Sequence, residues 1–235
     1  MTETTSSLAS GAFPDEVITE AKVRLLEIPS GTFALITVDN GRDHTRPSTF
    51  GPQGLASLGR AIDEAAATPG VVGIGVTGKP FIFAVGADLS AIGVVNDPKI
   101  IEQFAQLGHD VFRKLGETSV PTFAFVNGAA MGGGMELALQ CRYRTVDSSA
   151  AGLSLPEVFL GLVPGWGGAW LLPNLIGPQK ALDVIINNSM NQNKQLRPAQ
   201  ALELGIVDAM FDSADFLERS LAWADDVISE PTRPY

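Results

Sequence analysis

The chain has 235 residues, of which 45% are hydrophobic and 18% charged, and its formal net charge is -10. This composition is typical of a globular protein with a core of good size. The negative charge, which no cluster of basic residues offsets, argues against a nucleic-acid-binding surface. The single cysteine, Cys141, excludes a disulfide within the chain and fits a reducing compartment.

The N-terminal segment, residues 1–18, has neither the basic region nor the apolar region of a secretory signal. It is predicted to be a disordered tail, and residues 19–235 are predicted to form the folded domain. No apolar run reaches the roughly 18–20 residues that span a bilayer. The sequence therefore predicts a cytoplasmic protein that does not insert into membranes.

Beyond the predicted tail, segments with strand and helix patterns alternate along the chain. Residues 23–28 and 33–38 are predicted strands joined by a turn, and apolar residues at helical spacing predict a helix over residues 51–67. Later strands are predicted at 71–78, 121–128 and 143–147, and helices at 101–115, from about 133, and at 178–186, 198–204 and 213–227. This order predicts an α/β domain with crossover connections and a helix-rich C-terminal portion.

The most unusual stretch is GAAMGGGMELALQ, residues 128–140, in which three consecutive glycines precede a helical pattern. The first N–H groups of a helix have no partner inside it and lie at the positive end of its dipole. Glycines let a ligand approach them without meeting a Cβ. The pattern favours an oxyanion hole, with a second donor from the loop at 83–90. A turn or close helix packing explains the glycines equally well, and a carboxylate such as Glu136 is common at a helix start.

Three blocks of the sequence together resemble the enoyl-CoA hydratase/isomerase (crotonase) superfamily. They are FAVGAD (83–88), VNGAAMGGGMELALQC (126–141) and LSLPEVFLGLVPGWGG (153–168), in the family's order and at about its spacing. The resemblance covers residues 23–227 and is most like the N-terminal hydratase module of multifunctional fatty-acid oxidation proteins. It implies a crotonase-like spiral of ββα units with C-terminal helices.

The resemblance also implies roles for individual residues. The backbone N–H groups of Ala87 and Gly133 would form an oxyanion hole for the thioester carbonyl of an acyl-CoA. Glu136 would deprotonate the water that attacks C3, and Glu157 would give a proton to C2. The other residues implied in substrate binding are Ala84, Gly86, Asp88, Leu89, Gly132, Pro156, Gly165 and Trp166.

Some of these assignments have plain structural alternatives. Glu157 could be a surface carboxylate after a proline, although its flanks are almost uncharged, and Trp166 could be a core residue instead of part of the acyl pocket. The stretch after Asp88 has no basic residue before Lys99, where many family members carry one. The phosphates of coenzyme A would then be held weakly, or by Lys79, Lys99 or another subunit.

The resemblance, with both glutamates present, implies an enoyl-CoA hydratase of fatty-acid oxidation, which converts a 2-enoyl-CoA to a 3-hydroxyacyl-CoA. A double-bond isomerase and a non-catalytic acyl-CoA-binding module of a larger multifunctional protein are the alternatives. No metal or cofactor is expected beyond the coenzyme A of the substrate, because the sequence has no metal-ligand cluster or dinucleotide motif. The resemblance implies a homo-oligomer, a trimer or hexamer, in which the C-terminal helical closing segment is expected to be shortened.

Overall fold

The computed structural model describes residues 13–89 and 97–230, and its strands form two sheets. The strands are β1 (Glu20–Ile28), β2 (Gly31–Asp39), β3 (Val71–Gly78), β4 (Phe81–Val85), β5 (Thr122–Val126), β6 (Gly128–Met131), β7 (Tyr143–Asp147), β8 (Leu153–Ser154) and β9 (Ala209–Phe211). The larger sheet has the order β1-β2-β3-β5-β7-β9, and the smaller sheet has the order β4-β6-β8. All of these neighbours are parallel except β1 and β2.

Helices connect and cover the strands. The main helices are α1 (Pro52–Ala67), α2 (Pro98–Gly116), α3 (Gly133–Gln140), α4 (Gly168–Ile176), α5 (Pro178–Leu182), α6 (Pro198–Leu204) and α7 (Phe216–Ser229). A 3-10 helix spans Glu157–Leu160, and α5 continues through a π-helical turn, Asp183–Asn187, into a short turn at Asn188–Met190. Four of the helices begin at proline, which suits a first turn because the N–H that proline lacks would have no partner there.

The architecture is a repeat of two strands followed by a helix. In β3-β4-α2 and in β5-β6-α3, the first strand joins the larger sheet and the second joins the smaller sheet. β7 and β8 follow the same rule and lead into the 3-10 helix. The spiral of ββα units with C-terminal helices, which the resemblance implies, is therefore confirmed. None of the helices within residues 13–89 and 97–230 is long and apolar enough to cross a membrane.

The larger sheet has apolar side chains packed on both of its faces. One face packs against α1, α2 and α3 in the main core. The opposite face carries an aromatic row in which the rings of Phe123 and Tyr143 stack 5.3 Å apart. Trp223 on α7 packs edge-on against both rings, so the C-terminal helix covers this second core.

The N-terminal segment packs against the domain from Phe13 onward. Phe13 is 2% exposed, and its ring lies 4.7 Å from that of Phe104 on α2. The Glu16 carboxylate accepts hydrogen bonds from the N–H groups of Gln53 and Gly54, at 3.1 and 2.8 Å, at the start of α1. Residues 13–18 therefore belong to the folded domain and not to the predicted tail, and residues 1–12 lie outside the described residues.

Candidate active site

The three strands of the smaller sheet end side by side. Val85 of β4 is opposite Met131 of β6, which is in turn opposite Ser154 of β8. Since the strands are parallel, the loops that follow them start at the same edge of the sheet. Ala87, Gly133 and Glu157 lie shortly after these three strand ends, so one predicted site residue follows each strand.

A glycine with left-handed backbone begins each of the first two loops. Gly86 has φ +68° and Gly132 has φ +53°, a region that glycine adopts without steric cost. A Cβ placed on Gly86 would lie 3.6 Å from the Gly133 nitrogen, so the two loops are packed together. Within the described part of the chain, neither the Ala87 N–H nor the Gly133 N–H donates a hydrogen bond to the backbone.

Close packing accounts for Gly133 and Gly134, the second and third of the three consecutive glycines. A Cβ on Gly134 would collide with the carbonyl of Ala84 in β4, and a Cβ on Gly133 would collide with the indole of Trp166. The α3 helix begins at Gly133, where the sequence predicts a helix start. The close-packing interpretation is therefore sufficient for these two positions, and the oxyanion role of the Gly133 N–H stays a prediction.

Glu136 lies in the first turn of α3 and is 2% exposed. Its Oε1 atom accepts hydrogen bonds from the backbone N–H groups of Trp166 and Gly168, both at 2.8 Å. Burial raises the pKa of Glu136 to about 7, and the two N–H donors oppose that rise. These donors stabilise the ionised form of the carboxyl, because hydrogen bonds to a charged form favour it.

Glu157 is the first residue of the 3-10 helix and lies half-buried beside the glycine run. A Cβ on Gly132 would lie 3.0 Å from its Oε1 atom, and its Oε2 atom is buried with no hydrogen-bond partner among the described residues. Burial, followed by the negative charge of Glu136, raises the pKa of Glu157 to about 7. The two carboxyls therefore share one site, and their proton equilibria are coupled.

Trp166 belongs both to the core and to the surroundings of Glu136. It is 5% exposed, and its indole packs edge-on against Phe104 and Phe112, with ring centroids 5.7 and 5.1 Å away. Its backbone N–H donates to Glu136, and its carbonyl accepts a hydrogen bond of 3.1 Å from Gln140 Nε2. The packing therefore supports the core interpretation of this tryptophan, and its part in the acyl pocket stays a prediction.

The remaining predicted substrate-binding residues surround this edge of the sheet. The Asp88 N–H donates to the Phe50 carbonyl at 2.9 Å, which ties the loop after β4 to the start of α1. Leu89 is 43% exposed and ends the first described range. Ala84 is buried in β4, Pro156 is half-buried immediately before the 3-10 helix, and Gly165 is exposed in the loop before α4.

The predicted contribution of Lys79 to phosphate binding is not supported. Its side chain is 4% exposed, and its Nζ atom donates to Asn40 Oδ1 and to the carbonyls of Arg42, Asp43 and Arg46 within 3.0 Å. An ammonium group has three N–H donors, and these acceptors take all of them. Lys99, by contrast, is exposed in the first turn of α2.

Sequence reasoning missed Gln140, which fixes the Trp166 carbonyl. Gln140 is four residues after Glu136 on the same helix, and residues at this spacing lie on one face. The spacing suggests that Glu136 and Gln140 contact the same neighbouring segment. It does not identify that segment as the loop with Trp166, 26 positions after Gln140 in the chain. Among the described residues, no group of three or more His, Cys, Asp and Glu side chains is placed to hold a metal ion.

Comparisons with known proteins agree with this arrangement. The family described as Enoyl-CoA hydratase/isomerase matches residues 32–234. The fatty acid oxidation complex subunit alpha of Shewanella loihica is 36% identical over 195 residues, which are 81% of this chain and 26% of that protein. The chain thus spans about a quarter of the length of the curated relatives that it matches.

Two solved structures have the same fold. DspI of Pseudomonas aeruginosa is 29% identical with a TM-score of 0.75, and the match covers 89% of this chain and 81% of that one. An enoyl-CoA hydratase of Geobacillus kaustophilus HTA426 is 27% identical with a TM-score of 0.75, covering 88% of this chain and 77% of that one.

Proposed function

The chain belongs to the enoyl-CoA hydratase/isomerase family, and on that premise we propose that it is an enoyl-CoA hydratase. The reaction adds water across the double bond of a 2-enoyl-CoA and gives a 3-hydroxyacyl-CoA. The observation that carries the proposal is the pair of carboxyls, Glu136 and Glu157, whose pKa values are both raised at the edge of the smaller sheet. The similarity to fatty acid oxidation complex subunits supports a role in fatty-acid oxidation.

The surroundings of the two carboxyls favour different protonation states. Glu136 accepts two backbone N–H bonds, which favour its ionised form. Glu157 has a buried oxygen without a described partner, and the charge of Glu136 raises its pKa further. Two like charges in one site disfavour each other, so one proton is retained by the pair. We therefore assign the base to Glu136 and the acid to Glu157.

In the proposed reaction, the thioester carbonyl oxygen accepts hydrogen bonds from the N–H groups of Ala87 and Gly133. Glu136 takes a proton from water as the water oxygen bonds to C3, and the electrons of the double bond move toward the carbonyl to give an enolate. The two N–H donors stabilise the negative charge on the enolate oxygen. Glu157 then gives its proton to C2. The transfer of one proton from Glu136 to Glu157 restores the starting state, and coenzyme A enters only as part of the substrate.

A double-bond isomerase is the second candidate. Isomerisation moves one proton between two carbons and can run with a single carboxylate, so the presence of both Glu136 and Glu157 favours hydration. A non-catalytic acyl-CoA-binding module is the third candidate. Such a module would use the oxyanion donors but has no need for two carboxyls with raised pKa values.

The hydratase proposal is tested with Glu136→Gln and Glu157→Gln on crotonyl-CoA, by following the loss of the conjugated enoyl absorbance. Glutamine keeps the size of glutamate but cannot exchange a proton. We expect each substitution to lower kcat by about 10²–10⁴-fold, the usual contribution of a general acid or base. The affinity for butanoyl-CoA should change little, because the carboxyls act on the transition state.

Glu203→Gln, at an exposed position on α6, is the matched control and should keep wild-type turnover. Wild-type turnover in both Gln variants would contradict the two-carboxyl mechanism. A wild-type chain that converts a 3-enoyl-CoA but does not hydrate crotonyl-CoA would favour the isomerase. A chain that binds acyl-CoA and catalyses neither reaction would favour the binding module.

The proposal extends to assembly and location. We expect a homo-oligomer, a trimer or hexamer, located in the cytoplasm. Support for assembly comes from apolar side chains that are exposed between residues 159 and 190, among them Phe159 (58%), Val163 (71%), Trp170 (73%) and Met190 (64%). Apolar side chains grouped on a surface often mark a protein interface.

A further inference from the structure

Residues of α2 and α3 hold both the backbone and the ring of Trp166 in place. Glu136 and Gln140 of α3 hold its backbone N–H and carbonyl. Phe104 and Phe112 of α2 contact its ring edge-on. Because the backbone is hydrogen-bonded on both sides and the ring is buried, the indole is a rigid part of the site.

Two glycines on different helices make room for the indole. A Cβ on Gly108 of α2 would collide with its pyrrole side, and a Cβ on Gly133 of α3 would collide with its benzene side. The indole therefore spans the gap between these two helices. The residue is 5% exposed, so its neighbours cover almost all of the indole.

The proposed site determines where the acyl chain goes. In the reaction proposed above, the carbonyl oxygen is held at the Gly133 N–H and C3 is next to Glu136, so C4 and the carbons beyond it would continue past Glu136. The N–H of Trp166 is bonded to that carboxylate, and its indole lies against Gly133. The indole, which lies between Gly108 of α2 and Gly133 of α3, is therefore the apolar group next to the proposed positions of the carbonyl oxygen and C3.

We propose that the Trp166 indole is the inner wall of the acyl pocket and makes this protein selective for short acyl groups, such as the four-carbon crotonyl group. The inference rests on the hydratase function proposed above. A longer chain would have to displace a side chain that is fixed by its backbone and by two aromatic rings. Protein interiors are close-packed and accommodate even one extra methylene poorly.

The test compares kcat/KM of the full chain on crotonyl-CoA and on 2-decenoyl-CoA, for the wild type, Trp166→Leu and Trp166→Ala. We expect the wild type to favour crotonyl-CoA by about tenfold or more, since differences of one methylene in an apolar pocket are worth about 10–200-fold. Both variants should reduce that ratio by about tenfold, mainly through a higher kcat/KM for 2-decenoyl-CoA. Trp166→Leu keeps more of the packing and serves if the alanine variant does not fold.

Trp223→Ala is the control for the loss of a tryptophan, because Trp223 packs on the opposite face of the larger sheet. It should lower the melting temperature and leave the chain-length ratio unchanged. A wild-type ratio near one would overturn the proposal, as would a ratio that is unchanged in both Trp166 variants.

If the wild type hydrates neither substrate, the proposed hydratase function is wrong. The proposal that Trp166 forms the wall of the acyl pocket is then tested by ligand binding alone. Calorimetry with butanoyl-CoA and decanoyl-CoA then replaces the kinetic measurement. Tighter binding of butanoyl-CoA by the wild type, with the preference lost in Trp166→Leu, would support the wall. Equal binding of the two ligands by the wild type would overturn it.

Discussion

Glu136 illustrates how one side chain serves packing and chemistry together. Its carboxylate accepts the N–H groups of Trp166 and Gly168 and so holds the start of α4 against α3. The same contacts bury the carboxyl and change its acidity. The position of the loop that carries Trp166 and the charge state of the proposed base are therefore linked.

This link predicts how stability depends on pH. The pKa of Glu136 is raised from 4.5 to about 7 by folding, so the folded state binds the proton more tightly than the unfolded state. The contribution of the protonated Glu136 carboxyl to the free energy of unfolding is fully present below pH 4.5 and is lost as the pH rises through about 7. Between about pH 5 and about pH 8, the wild type should lose on the order of 3 kcal/mol relative to Glu136→Gln, which has no proton to release.

Urea unfolding of both proteins at several pH values measures this difference. Glutamine retains an oxygen that can accept the two N–H bonds. Because the charge of Glu136 also raises the pKa of Glu157, the comparison reports the proton equilibrium of the coupled pair. A free-energy difference between wild type and variant that is constant over this pH range would show that Glu136 has an ordinary pKa in the folded state.

At the residue level, the sequence predicts the two glutamates better than their partners. Glu136 and Glu157 stand in short motifs, so a resemblance can transfer them one by one. The hydrogen bonds of Gln140 and Lys79 join segments that are remote in the sequence, to a loop carbonyl and to the 40–46 loop. No local pattern specifies such contacts, so the sequence leaves Lys79 among several candidates for phosphate binding, and only the structure shows that its ammonium group is occupied.

At the level of elements, α1 depends on a residue from outside the helix. Its N-cap residue is Gly51, which has no side chain to cap the first N–H groups. Glu16 supplies the acceptor instead, and a Cβ on Gly51 would collide with that carboxylate. The absence of a side chain at Gly51 therefore lets the N-terminal segment dock on the helix.

Replacement of Glu16 by alanine should destabilise the domain by about 0.5–2 kcal/mol, the usual effect of losing a helix cap. Chemical denaturation followed by circular dichroism measures the loss. Asp15→Ala is the control, because Asp15 is an exposed acidic neighbour of Glu16. Equal stability of the Glu16 and Asp15 variants would mean that the cap contributes nothing.

The length of an element affects how well the sequence predicts it. The long helices and the strands β1, β2 and β3 have enough residues for a periodic pattern, and β3 and α6 have the predicted bounds. The strands β4, β6, β8 and β9 have only two to five residues and were missed. Helix α4 was missed as well, because its glycine start and Pro173 look like a loop.

At the level of the whole molecule, the surface combines a net charge of -10 with exposed apolar side chains. The 3-10 helix and the turn after α5 are joined by a hydrogen bond of 2.8 Å from the Phe159 N–H to Ser189 Oγ. This bond brings together the two segments that carry Phe159 and Met190. A second copy of the chain could bury this region.

The expected assembly has a mass above the 24.7 kDa of one chain, measured by light scattering at micromolar concentration. Val163→Asp should lower that mass, because it places a charge on a side chain that is 71% exposed and carries little packing within one chain. A wild-type mass of 24.7 kDa would contradict the oligomer. An unchanged mass in Val163→Asp would place the interface elsewhere.

The pairing of β4, β6 and β8 also determines how accurately the groups of the proposed site are positioned. One proposed functional group follows each strand, and the backbone ladder aligns the three strand ends. A slip of one residue between neighbouring strands would displace a group by about 3.3 Å, more than the full length of a hydrogen bond. The register of the smaller sheet therefore determines the distances between the proposed functional groups. A substitution that shifts this register would abolish catalysis, even if it changes no residue that contacts the substrate.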